Sequence, residues 1–362
     1  MDFSLTDSQH TVHQLAAELL RDHCSPEAIR AVEDSDSPGF DRALWAKLAE
    51  AGLLGVVVPE EHGGLGLGLV ELGFLLEAVG HTAAPVPLLA HAMATAALRR
   101  HGSAAQQGSV LPGAAAGTTV LTVALSEPLG DELTPATTAT ADGVLDGVKT
   151  CVPSGVHADV ALVSATTDDG PRLYLVDLRG AGVTVERQDT ISFAPDAMLV
   201  LEGARGELVG DASAVGDAVR VGQALTSALL FGHCESAVLL TAEYTRTREQ
   251  FGHPIAHFQA VGQRAADSFI DTTTIKLTTL QALWLLDQGR PAEKEVAVAK
   301  YFASEAGQRV VRAAAHLHGG MGVSREYPLH RHYLAAKQLE LTLGSGTRQL
   351  SRLGALLAAE PV

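Results

Sequence analysis

Fifteen histidines, three cysteines and an excess of carboxylates are the reactive side chains of this sequence, and their spacing excludes most chemistry. His316 and His318, like His330 and His332, stand two residues apart, and such positions do not share a helix face. No carboxylate lies at ligand spacing with a second histidine, so no metal is expected. Cys24, Cys151 and Cys234 are odd in number and far apart, which excludes a disulfide framework or a zinc finger. Glu60 and Glu61 look like a catalytic pair, but adjacent side chains diverge. There is no Gly-x-Ser-x-Gly elbow, P-loop or Rossmann fingerprint. Taken alone, Arg246-Thr247-Arg248-Glu249-Gln250-Phe251-Gly252 and Gly319-Gly320-Met321-Gly322 have ordinary readings: a solvated helix end for the first, a helix C-cap for the second.

The chain that must position them has 362 residues, 46% hydrophobic and 19% charged. That composition suits a folded protein with a core and excludes a disordered one. Acidic residues outnumber basic ones 42 to 26, a net charge of −16, which repels nucleic acid and anionic membrane. The first seven residues lack the basic and apolar regions of a secretory signal. Apolar runs are interrupted before the ~18 residues of a membrane span. A reducing cytoplasmic setting is expected.

The pattern of apolar residues divides the chain into three domains, an α–β–α order of the α+β class. Residues 1–115 read as helical: Asp7 can cap a helix with Val12, Leu15, Ala16, Leu19 and Leu20 on one stripe, and Leu44, Trp45 and Leu48 repeat that spacing. Residues 116–212 change to short Thr- and Val-rich runs punctuated by Gly, Asp and Pro, which predicts an antiparallel β-barrel-like domain. Residues 213–362 return to long helices, over 224–247, 259–288 and 293–318, and predict a four-helix bundle.

At this level of detail the sequence resembles the acyl-CoA dehydrogenase family. The resemblance rests on Leu48-Ala49-Glu50-Ala51-Gly52-Leu53-Leu54-Gly55, on Pro59-Glu60-Glu61-His62-Gly63-Gly64-Leu65-Gly66, and on Arg248 to Gly252 followed by Phe258-Gln259-Ala260. Gly319-Gly320-Met321-Gly322 and Glu326-Tyr327-Pro328 complete it. The resemblance implies FAD as cofactor, an acyl-CoA thioester as substrate, dehydrogenation between Cα and Cβ, and an electron-transfer flavoprotein as acceptor. It implies that Arg248 reaches the FAD pyrophosphate across a subunit interface, that Phe251 packs on the adenine side, and that Gln259 bonds the nucleotide. Gly319 and Gly320 would admit the cofactor, and His316 stands where the family usually has a glutamine that touches it.

Elsewhere the match fails. The loop beside the flavin ring is shortened to Ser126-Glu127-Pro128-Leu129-Gly130-Asp131, and the stretch flanking the ring reads Cys151-Val152-Pro153, where proline offers neither hydroxyl nor N–H. Ser345 in Gly344-Ser345-Gly346-Thr347 replaces the family's catalytic carboxylate, and an unactivated serine is no general base. The family's alternative base position falls at Leu225-Thr226, with Glu235 about 15 Å further along the helix. The expectation is therefore a chain without a catalytic residue of its own. It would pair as α2β2 with a homologous base-bearing subunit, as in actinobacterial dehydrogenases of steroid side chains. The alternatives are a self-sufficient homomer using Glu340 and an inactive flavin- or CoA-binding scaffold.

Overall fold

A computed structural model describes residues 4–359. Helices α1 (Asp7–His23), α2 (Pro26–Glu33), α3 (Arg42–Glu50), α4 (Leu69–Thr82), α5 (Leu88–His101) and α6 (Ala104–Ala115) come first. Strands β1 (Leu121–Ala124), β2 (Thr138–Ala139), β3 (Val144–Val152) and β4 (Val160–Thr167) follow, then β5 (Gly170–Asp177), β6 (Val183–Gln188) and β7 (Asp196–Gly210). Next come α7 (Ala212–Thr247), the small strands β8 (Glu249–Gln250) and β9 (His253–Pro254), and α8 (Gln259–Asp287). The chain continues through α9 (Glu293–His318), α10 (Leu329–Leu341) and α11 (Gly346–Ala358). The α–β–α order is as expected. Two local details differ. Thr6, not Asp7, caps α1, because Thr6 and Gln9 satisfy each other's backbone N–H in a capping box. The C-terminal helices number five among the described residues, with α11 packed beside α9 in addition to the expected four.

The chain forms two compact units. One consists of Glu27–Leu72 and Pro85–Gly222. Its strands β4, β5, β7, β3 and β2 pair in sequence and β2 returns to β4, so the sheet closes on itself. Most pairings are antiparallel, but β1 and β2 both run parallel to β4. The expected antiparallel barrel-like domain is therefore present, with two parallel pairings inside it. Parallel neighbours need a long connection, and Leu125–Asp159 supplies one between β1 and β4. The interior is filled by alanine, valine and leucine side chains, among them Leu145, Ala161, Val163, Val176 and Leu199.

The other unit consists of α1, Gly73–Ala84, which holds most of α4, and the chain from Gln223 onward. Here α4 and α7 touch backbone to backbone. A Cβ on Gly80 would lie 2.1 Å from the Leu229 carbonyl, and one on Gly232 would lie 2.0 Å from the Glu77 carbonyl. Neither glycine can become alanine without parting the helices. Helix α7 is apolar enough by composition to cross a membrane, with mean hydropathy 1.3 over its apolar window, yet 78% of that window is buried within the protein. It is a core helix.

Candidate functional site

The end of α7 and the end of α9 meet through Tyr244 and His318, close in sequence to the expected site residues Arg248 and Gly319. Tyr244 stacks on His318 with ring centroids 4.3 Å apart, and the Tyr327 hydroxyl lies 3.2 Å from His318 Nε2. His318 Nδ1 sits 2.8 Å from the Ala314 carbonyl. A neutral ring therefore donates from Nδ1 and accepts from Tyr327 at Nε2, and burial, which lowers the His318 pKa, favours that neutral form. Arg248 lies one turn beyond Tyr244, and Gly319 directly follows His318. Sequence reasoning passed over this aromatic clamp. Its signal was the histidine immediately before the glycine pair.

From Arg248 the chain turns through β8 and β9 into α8, with the Ile255 N–H donating to the Arg248 carbonyl at 2.8 Å. Phe251 forms the hairpin tip, 89% exposed, at φ +57°, with its ring edge-on to Phe258 at 6.0 Å. A bulky residue in that backbone region is strained, and such strain persists where a site demands it. Arg248, Gln259 and His316 are exposed, and their side chains have no hydrogen-bond or ion-pair partner among the described residues. Gly319 adopts φ +61°, ψ −139°, and no atom lies within 4 Å of a Cβ built on it or on Gly320. The Gly319 N–H closes α9 by donating to the His316 carbonyl. What this residue offers a ligand is open space rather than a donor. An open groove of about 380 Å³ also runs between α8 and α9. It is lined by Arg264, Asp267, Asp271 and Arg309, so its charges balance.

Ser345 caps the start of α11 without a side-chain cap bond. The nearby acids are engaged or differently placed. Glu340 Oε2 accepts from Lys337 Nζ at 2.8 Å. Glu235 bonds His81 at 3.2 Å, and that contact holds its carboxyl below the usual range. One acid had not been anticipated. A Cβ on Gly346 would meet Glu305 Oε1 at 2.7 Å, so the Glu305 side chain lies against the residue after Ser345. Only the absence of a side chain at Gly346 makes room for it.

In the β unit, Lys149 is wholly buried and donates to Glu127 Oε1 at 2.6 Å and to Ser164 Oγ at 3.0 Å. Burial pulls the Lys149 pKa down to about 8 against the raising effect of Glu127. Burial opposes ionisation of Glu127 as well, but bonds from Lys149 and Thr137 outweigh it and keep the carboxyl ionised. This pair pins the shortened loop that begins at Ser126. Beyond Lys149 the strand is distorted, with Cys151 at φ +48°. The Cys151 N–H donates to Gln188 Oε1 at 2.8 Å, and the Pro153 carbonyl accepts from Thr122 Oγ1 at 2.6 Å. This edge satisfies its polar groups with the chain's own side chains.

The profile of the acyl-CoA dehydrogenase N-terminal domain matches residues 6–118, and that of the C-terminal domain matches residues 213–357. The chain belongs to the acyl-CoA dehydrogenase family. It is 39% identical to acyl-CoA dehydrogenase FadE27 of Mycobacterium tuberculosis, with all of both chains covered. Among solved structures, a chain of the ChsE4-ChsE5 complex from Mycobacterium tuberculosis superposes with TM-score 0.95 at 39% identity, covering all of both chains. A variant of the Tcur3481-Tcur3483 steroid ACAD superposes with TM-score 0.93 at 40% identity, covering 97% of each chain.

FAD is the cofactor of this acyl-CoA dehydrogenase. At the end of the helical bundle Arg248 is unpaired, Phe251 is held outward and the Cβ positions of Gly319 and Gly320 are open, an arrangement that would accommodate an ADP group. Along Cys151-Val152-Pro153, which the family resemblance would set beside a flavin ring, the Cys151 N–H is already bonded and residue 153 has none.

Proposed function

We propose that this chain is the non-catalytic subunit of a heteromeric, FAD-dependent acyl-CoA dehydrogenase. It contributes the ADP side of the cofactor site to a homologous partner that carries the catalytic carboxylate and the flavin-ring site. The observation that carries this reading is the contrast between two sets of residues. Arg248, Phe251, Gln259, Gly319 and Gly320 are present and unobstructed, whereas Ser345 occupies the base position and Glu340, the nearest substitute in sequence, is tied to Lys337. Two copies of this chain alone would offer two ADP grips and no base. Pairing with a base-bearing chain as α2β2 would give two complete sites.

When bound, FAD supplies the acceptor for the Cβ hydride. This chain's part is electrostatic and steric. The Arg248 guanidinium offsets pyrophosphate charge through charge-assisted bonds, Phe251 covers the adenine side, Gln259 bonds the nucleotide, and the glycine pair admits the ligand to van der Waals distance. His316 lies on the same end of α9 and would line the nucleotide. A bulky acyl group of the steroid side-chain class is supported by the identity to the steroid ACAD. An electron-transfer flavoprotein in the cytoplasm completes the proposed reaction setting.

The test is flavin stoichiometry and turnover of the co-expressed pair. Two FAD per heterotetramer, with acyl-CoA-dependent dye reduction only when both chains are present, are the expected results. Four FAD, or steady turnover by this chain alone, refute the reading.

A further inference from the structure

His318 does more than fill space at the end of the bundle. It is 3% exposed, yet it carries two polar nitrogens into the interior, where a leucine would pack at no polar cost. Both nitrogens are matched. Nδ1 donates to the Ala314 carbonyl at 2.8 Å, and Nε2 accepts from the Tyr327 hydroxyl at 3.2 Å. The Tyr244 ring lies over the imidazole at 4.3 Å with 26° between the planes, and the Tyr327 ring stands at 5.0 Å and 49°. Two hydrogen bonds and two ring contacts leave the imidazole one orientation. A polar network satisfied in this way rigidifies its surroundings and specifies a single geometry.

That geometry sits at the roots of the proposed ADP site. The Tyr244 carbonyl accepts the Arg248 N–H at 2.8 Å in the last turn of α7, so the arginine backbone stands about 6 Å along the helix from the stack. On the other side, Gly319 is joined to His318 by one peptide bond. It leaves α9 at φ +61°, ψ −139°, a sparsely populated conformation that persists only where its surroundings fix it. Past these two anchors the chain opens to solvent, with residues 246–252 and 319–321 all exposed. Helix ends in that state fray. The stack therefore joins the two segments just before each leaves the interior.

We propose that His318 is a positioning residue for the cofactor. Gripped between Tyr244 and Tyr327, it holds the Arg248 turn of α7 at a set distance from the Gly319-Gly320 backbone, so the guanidinium meets a pyrophosphate without first having to be ordered. It touches no part of the ligand. Affinity gained this way is the ordering cost that binding avoids. The proposal rests on the reading above, in which Arg248 and the glycine pair hold the ADP portion of FAD. The Tyr244 hydroxyl has no hydrogen bond among the described residues, so the ring alone is what the clamp uses.

The test is a double-mutant cycle on the co-expressed complex, stripped of flavin and titrated with FAD, with melts of the apo-protein alongside. Tyr244→Leu removes the stack and should weaken FAD binding about tenfold, whereas Tyr244→Phe keeps the ring and should bind as the parent does. Tyr327→Phe takes the donor from Nε2 and should weaken binding by a smaller factor. In an Arg248→Ala background the Tyr244→Leu step should shrink to less than about twofold, because the group it positions is gone. Should Tyr244→Leu fail to fold, the conservative Tyr327→Phe carries the same cycle. Unchanged affinity in the folded Tyr244→Leu or Tyr327→Phe protein overturns the proposal. So does an equal loss in Tyr244→Phe, or a step of full size without Arg248, the mark of a general loss of structure. Arg248→Ala with unchanged FAD affinity would remove the ADP-site reading as well. A loss in Arg248→Ala beside a silent Tyr244→Leu would leave that reading standing and remove only the clamp.

Discussion

Replacing Arg248 by alanine separates cofactor binding from folding in one measurement. The guanidinium is exposed and has no partner among the described residues, so its removal costs the fold little, within about 0.5 kcal/mol for a surface position of this kind. Against a pyrophosphate the same group can make two charge-assisted hydrogen bonds, each contributing roughly 1.5–3 kcal/mol. Loss of the pair should therefore weaken FAD binding by at least about 3 kcal/mol, a factor of roughly 100 or more in Kd. The assay is flavin absorbance of the purified heteromer, followed by titration of the stripped protein with FAD, with apo-protein thermal melts alongside. Arg248→Lys should recover part of the affinity, because it restores charge without the planar fork. Unchanged flavin content would remove Arg248 from the cofactor site. A fall of many degrees in the apo melting temperature would show instead that the residue serves the fold.

Acid should weaken the protein through His233, whose Nδ1 lies 3.0 Å from His332 Nδ1 in the bundle interior. Burial pushes the His233 pKa down to about 3 and that of His332 well below its ordinary value. The unfolded chain takes up these protons below about pH 6.5 while the folded chain does not. Stability therefore falls as pH drops from 6.5 toward 3, by about 1.4 kcal/mol per unit for His233 alone. His13, raised by its bond to Glu77, acts in the opposite sense. Thermal melts of wild type and His233→Asn between pH 7 and 4.5 should differ in slope, and equal slopes would refute this account. The glycine pair should respond asymmetrically: Gly319→Ala forces a side chain into a backbone region reserved for glycine and should cost about 1–3 kcal/mol of stability. Gly320→Ala, with open space around it, should leave the melt unchanged and reduce FAD retention. Identical behaviour of the two variants would contradict the assignment.

Helix α9 was legible to the residue, because its apolar spacing is regular and Gly319 ends it. The strands around Val144 and Val160 were legible for a similar reason, being short β-branched runs between turn residues. The parallel pairing of β1 with β4 was not, since partner choice depends on which strands the long connection brings together. In the candidate site, single residues such as Arg248 and Gly320 were singled out by their motifs, and the structure leaves both open to solvent. The stacking of Tyr244 on His318 joins positions more than seventy residues apart, and no local pattern encodes it. Glu305 was missed for the converse reason. Its place beside Ser345 depends on the missing side chain of Gly346, and an absence of atoms carries no signal until the helices are assembled.

Gly73–Ala84 is built into a unit whose helices, apart from α1, come from the chain beyond Gln223. During synthesis this segment leaves the ribosome roughly 140 residues ahead of the surface it must cover. At ~5–20 residues per second, the interval is roughly 7–28 seconds. Throughout it Leu75, Leu76 and Val79, all buried in the finished protein, wait without the C-terminal helices. The nascent chain thus presents an apolar helix to solvent while the β unit is still being made. That exposure is a consequence of how the chain is threaded, independent of how stable the finished bundle is.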